Sequence, residues 1–145
     1  MRTSRLAVIL LTLSLLVAGA LHLALTEEHF RASALLGAGF IVSGLAQIGI
    51  ALISVGQAPH IPYRAIVVLN GVLIVLYLLH VTTGLPLPDS AATGAAEPGI
   101  LGARDEIELP ALATKLAEAI GISLALRMQR TQQTASADVS LQRAA

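Results

Sequence analysis

The residues in this chain that could do chemistry are few: His22, His80 and Glu118, with Glu28 and His29 close by in the stretch LHLALTEEHF (21–30). Two imidazoles and a carboxylate suit zinc or copper by ligand type, with His29 or Glu28 as a candidate fourth ligand. The same groups suit a proton relay, or a carboxylate–histidine network without metal. A bis-histidine haem between His22 and His80, making a small b-type cytochrome, is a further reading. Neither an HxxxH nor an ExxH spacing is present to strengthen the metal reading. The second half of the quoted stretch also has a simple architectural explanation. Thr26 can cap a helix, with Glu27 and Glu28 in its first turn facing the N-terminal dipole. His29 and Phe30 would then stand at headgroup level, Phe30 as an interface anchor. Phosphate-binding loops, a Ser-His-Asp order and nucleophile elbows are absent from the sequence, and it contains no Cys. The expectation is a protein that is not an enzyme.

What must position these groups is set by composition. The 145 residues are 55% hydrophobic and 12% charged, against roughly 25% charged in soluble domains. So short a chain cannot hide that much apolar surface in one core, so its solvent is expected to be lipid. Formal net charge is zero and no basic stripe runs along the chain, which argues against nucleic acid as a partner. Apolar runs predict helices over 6–25, 27–56, 64–84 and 110–128, each near the ~20 residues that cross a bilayer. The first run has a signal-like MRTSR start and a small-residue AGA at 18–20, but it continues past that point to Leu25 and reads as a retained helix.

The number of crossings follows from charge. With four helices and the N-terminus inside, Arg2, Arg5, Arg64, Arg127, Arg130 and Arg143 lie on the cytoplasmic side. Arg31 and Arg104 lie outside, with Glu27, Glu28, Asp89, Glu97, Asp105, Glu106 and Glu108. Three crossings would move the last three arginines outward and erase this asymmetry, so the positive-inside rule favours four. The expected fold is an all-α four-helix transmembrane bundle with both termini cytoplasmic, in the inner membrane of a bacterium. An outer loop, 85–109, joins helices three and four, and a polar tail, 129–145, is expected to be mobile.

Apolar side chains gain little by leaving lipid for protein, so small and polar faces must hold such a bundle together. Helix one offers Ser14, Ala18 and His22, and helix two offers Gly37 and Gly44 with Gly39, Ser43 and Gln47 beside them. Helix three offers Asn70, Tyr77 and Gly84, and helix four Thr114, Glu118, Gly121 and Ala125. Counting 1.5 Å per residue, Gln47 falls roughly 21 Å below the outer end of helix two and Asn70 roughly 8 Å above the inner end of helix three. The two amides should therefore meet as a structural polar core. Lys115 belongs to it as well, because a charge in hydrocarbon costs ~2.5–3.5 kcal/mol and must face protein or a counter-charge. His22, His80 and Glu118 fall roughly 5, 6 and 10 Å from the outer end, in one layer.

The pattern resembles a group of uncharacterised small four-helix membrane proteins from high-GC bacteria. The resemblance rests on His22, Glu28-His29-Phe30, the glycine-rich Gly37-to-Gln47 stretch, Asn70, Thr83-Gly84-Leu85-Pro86, the acidic loop from Glu97 to Glu108, and Glu118. It covers 6–128 and implies the four-helix topology; it transfers no activity, and His80 is not part of the pattern. The first functional expectation is an accessory or structural subunit, whose partners are the bilayer and other membrane proteins or its own copies. The alternative is a copper- or zinc-binding or proton-coupled protein working at the outer mouth.

Overall fold

The computed structural model describes residues 5–56, 61–86, 100–101 and 108–144. Five helices follow one another: α1 Arg5–Ala24, α2 Thr26–Ala32, α3 Ala34–Gly56, α4 Tyr63–Thr83 and α5 Leu109–Ala144, the last preceded by two short strands. Four of them, all but α2, are long and apolar enough to cross a membrane. In hydrocarbon every backbone polar group must be satisfied within the chain, and an uninterrupted helix does this by itself.

The buried positions recur at helical spacing, giving each of the four long helices one inward stripe. In α1 these are Leu11, Leu15, Ala18 and His22; in α5 they are Thr114, Glu118, Gly121, Ala125 and Met128. The opposite faces carry Leu6, Ile9, Leu13, Val17, Val42, Leu45, Leu52, Val68, Val72, Val75, Leu112 and Leu116, all exposed. A girdle of this extent has no place in water; it is the surface of a small membrane protein. The long helices alternate in direction, and their packing order is α3–α1–α5–α4. Only a few residues of α3 and α4 touch, so the ring is left with a seam between them.

Closest approach occurs between α1 and α3. A Cβ on Gly19 would stand 2.8 Å from the carbonyl oxygen of Gly44, and one on Gly44 would stand 2.8 Å from that of Gly19. Glycine at both positions lets the two backbones meet, as small residues at helix interfaces in lipid do. Toward the end of the bundle nearest Arg5, side chains of Leu11, Leu15, Ala51, Ile61, Tyr63, Ile66, Ala125 and Met128 close a dry apolar core. There Gln132 Nε2 donates to the Tyr63 hydroxyl at 3.2 Å.

Three local expectations are corrected. The helix expected over 27–56 is two helices, because Ser33 is extended (φ −157°, ψ 132°) and fully buried. The break turns α2 back so that the Phe30 ring lies where a side chain at Gly37 would sit, which makes Phe30 a packing residue as well as an exposed one. Thr26 does not cap: its hydroxyl donates to His22 O at 3.1 Å, and α2 starts without a side-chain cap. The helix expected to end at 128 continues to Ala144. After Gly121 it meets neither Gly nor Pro, so polarity removes its affinity for lipid without breaking its backbone pattern.

At its other end α4 stops at Gly84, whose φ of 76° favours glycine. Leu85–Pro86 then pairs antiparallel with Ile100–Leu101, with Leu85 opposite Leu101, and this pins the two ends of the expected outer loop together. Positions 87–99 and 102–107 of that loop, with its acidic residues up to Glu106, lie outside the described residues, as do Arg2 and position 145 of the tail.

Candidate functional site

Halfway along the bundle the apolar core gives way to a polar layer to which all four long helices contribute. Gly121 of α5 has no side chain, and Ser14 Oγ and Asn70 Nδ2 approach to 3.3 and 3.4 Å of where its Cβ would be. One turn further on, Gln47 Nε2 of α3 donates to Asn70 Oδ1 of α4 at 2.8 Å and lies 3.4 Å from Glu118 Oε1 of α5. Gln47 and Asn70 are fully buried and Glu118 is 1% exposed. The second carboxylate oxygen, Oε2, accepts from Lys115 Nζ at 2.8 Å, one helical turn away on α5. The ammonium also reaches Leu73 O of α4 at 3.4 Å and stands 5.5 Å from the centre of the Tyr77 ring. A buried ion pair offsets its desolvation only when the remaining lone pairs and protons find partners, and this carboxylate has them on three sides.

The third side is α1. His22 is 3% exposed, its Nδ1 lies 2.9 Å from Ala18 O, and its Nε2 lies 3.6 Å from Glu118 Oε1. A carbonyl oxygen only accepts, so Nδ1 carries a hydrogen. Nε2, the nitrogen turned toward the carboxylate, is therefore the one that gains or loses a proton.

Above this layer, at the end of the bundle away from Arg5, a cavity of about 660 Å³ opens between α3 and α4. Its walls are mostly apolar, with Leu35, Leu36 and Phe40 from α3 and Leu73, Leu76 and Val81 from α4. Lys115, His22 and Tyr77 form its inner part, and Glu28, His29, His80 and Glu108 stand round it. His29 is half-buried rather than free at headgroup level; its ring stacks on Phe40 with centroids 3.6 Å apart, and its Nδ1 lies 2.8 Å from Leu25 O. The hydroxyl of Tyr77 is buried without a hydrogen-bond partner.

The expected site residues are thus divided. His22, Glu118, Lys115, Gln47 and Asn70 come together as one network, while His29 and His80 border the cavity beside it. Among the described residues no group of three or more His, Asp or Glu side chains is arranged to hold a metal ion. The expected set of His22, His80, Glu118 and His29 is therefore not gathered as one ligand group among them. Lys115 occupies the Oε2 edge of Glu118, where a cation would have to compete with it. Sequence reading passed over Gly19, whose contact with Gly44 brings His22 beside Gln47, and it could not see the cavity. Comparison with models of known protein families, with curated proteins and with solved structures returns no match, so the functional reading rests on this geometry.

Proposed function

We propose that the protein is a non-enzymatic, proton-coupled binding protein of the bacterial plasma membrane, with both ends in the cytoplasm and the cavity facing outward. The observation that carries this reading is the position of Glu118, buried behind the cavity and bounded by Lys115, His22 and Gln47. One proton shared between His22 Nε2 and Glu118 would set whether the cluster is neutral or carries an extra positive charge beside any occupant of the cavity. Among the described residues Lys115 is the one fixed cation facing the pair, and His29, His80, Glu28, Glu108 and Tyr77 are the other ionisable groups around the cavity. The outward orientation is supported by the arginines gathered at the opposite end.

Infrared spectroscopy of the protein in nanodiscs tests the coupling. The carboxyl band of Glu118 is identified by its loss in Glu118→Gln and followed through a pH titration. His22→Gln should shift its midpoint. An unchanged midpoint means that the two groups do not share a proton, and the reading fails.

An accessory-subunit role is favoured by one separate feature. α4 is the least buried of the four long helices, and Gly71 on its outer face, among Val68, Val72 and Val75, has open space where a side chain would stand. Such a strip lets a second helix approach. Gly71→Leu should then reduce recovery of stoichiometric partners from native membrane; unchanged recovery removes this role for α4.

A further inference from the structure

The cavity has apolar walls, an open seam and a polar inner end, and each restricts what can occupy it. The walls and seam suit an elongated apolar body that slides in from the bilayer between α3 and α4. At 660 Å³ the space lies within the range of small-molecule sites, ~300–1,000 Å³. The inner end offers hydrogen-bond donors. An ammonium has three N–H groups, and Lys115 uses two of them, on Glu118 Oε2 at 2.8 Å and on Leu73 O at 3.4 Å, which leaves the third for an incoming acceptor. Tyr77, 5.5 Å away through its ring, has a buried hydroxyl without a partner. An unmet buried hydroxyl is costly, and an incoming acceptor oxygen would relieve it.

Charge restricts the occupant further. Lys115 is already matched by Glu118, so among the described residues lining the cavity no unpaired fixed cation awaits an anion. An anionic head would also pass Glu28 and Glu108 at the rim. A cationic head would meet Lys115 and would have to displace it from Glu118. An uncharged head that accepts hydrogen bonds has neither penalty.

We infer that the cavity binds an uncharged amphiphile whose acceptor oxygen, of the carbonyl kind, is held by Lys115 and Tyr77 while its apolar body lies between α3 and α4. This rests on the reading of the cavity as a binding site and adds the chemical class of its ligand.

Three probes of equal chain length separate the possibilities: radiolabelled decan-2-one, decanoate and decyltrimethylammonium. Each is equilibrated with the protein in phosphatidylcholine nanodiscs, and uptake by empty nanodiscs is subtracted. Decan-2-one should bind saturably and at least about tenfold more tightly than either ion. Tyr77→Phe, which removes one hydrogen-bond donor and little volume, should weaken its binding about fivefold. Gly39 lines the cavity and has no atom within 4 Å of its Cβ position, so Gly39→Leu should fold normally and abolish binding by filling the space. Equal or tighter binding of decanoate or decyltrimethylammonium overturns the uncharged class but leaves the cavity as a site. Full affinity in Tyr77→Phe overturns the donor assignment, and full affinity in Gly39→Leu places the ligand elsewhere. If none of the three probes saturates, the cavity is not a binding site of this kind and the reading beneath the inference fails with it.

Discussion

The bundle is made of two unlike halves. Toward Arg5 the helices close on Leu11, Leu15, Ile66 and Met128; toward the loop end α3 and α4 part around an open space that Lys115 and His22 help to line. In water the first half would count as the stable one and the second as a liability. In lipid the difference narrows, because an apolar side chain exchanges one hydrocarbon neighbour for another, whereas Gln47, Asn70, Lys115 and Glu118 have no partner in hydrocarbon except each other. The open half is held by the groups that could not survive outside it. Its polar layer is the strap across all four long helices and reaches the cavity through Lys115 and His22, so binding and folding are expected to be linked there.

The strongest way to break this picture is Lys115→Met. It leaves Glu118 buried with its main counter-charge gone, and removing one partner of a buried pair costs about 3–5 kcal/mol. Unfolding in mixed micelles should show the loss, and Lys115→Met with Glu118→Leu should restore most of it, since the buried charge then disappears altogether. A double variant as unstable as the single one would mean that the strap depends on shape, not on charge.

Next in size is the α1–α3 contact below the cavity. Gly44→Ala sets a methyl 2.8 Å from the backbone oxygen of Gly19, an atom that cannot rotate away, and overpacking of this kind costs about 1–3 kcal/mol. Gly49→Ala on the same helix meets nothing within 4 Å and should be neutral or slightly stabilising. Measured side by side, the two separate a true helix contact from the general cost of a methyl in lipid; equal effects would deny the contact. In the closed half, Leu15→Ala should cost less than it would in a soluble core, about 1–2 kcal/mol, because only the cavity part of the penalty remains when the alternative surroundings are lipid. It should leave probe binding at the other end unchanged.

How much of this was legible in the sequence differs between the halves as well. The inward stripes could be read, because small or polar residues at Ser14, Ala18 and His22, and at Thr114, Glu118, Gly121 and Ala125, keep helical spacing within otherwise apolar runs. The fixed rise of a helix also sets depth, which is why counting puts Gln47 level with Asn70, and the two lie 2.8 Å apart. What counting could not supply was azimuth and tertiary context. His80 shares a depth with His22, but it sits on the far wall of a cavity that exists only because α3 and α4 part. The break at Ser33 has no local signal, since serine is tolerated in helices; it goes with the folding back of Phe30 onto Gly37, a contact within α2–α3 that spacing alone does not reveal. Beyond Arg130, low hydrophobicity was read as loss of structure, whereas the absence of Gly and Pro was the stronger guide to the backbone.

The mildest test asks whether the two halves are mechanically joined. Gln132 Nε2 donates to Tyr63 OH at 3.2 Å, the one side-chain hydrogen bond between α4 and α5 at the closed end among the described residues. The pair is part-buried, near the level where water competes for both groups, and hydrogen bonds between membrane helices average about 0.6 kcal/mol. Gln132→Ala should therefore lower stability by about that amount. Its clearest signature should be faster amide exchange in α5 after position 132, where the helix has left the bundle core. The pH midpoint of the Glu118 carboxyl should not move, because Leu11, Leu15, Ile66 and Ala125 pack between that hydrogen bond and the charged layer. A shifted midpoint would show strain passing through the dry core, and the closed half would then be a lever on the open one instead of its anchor.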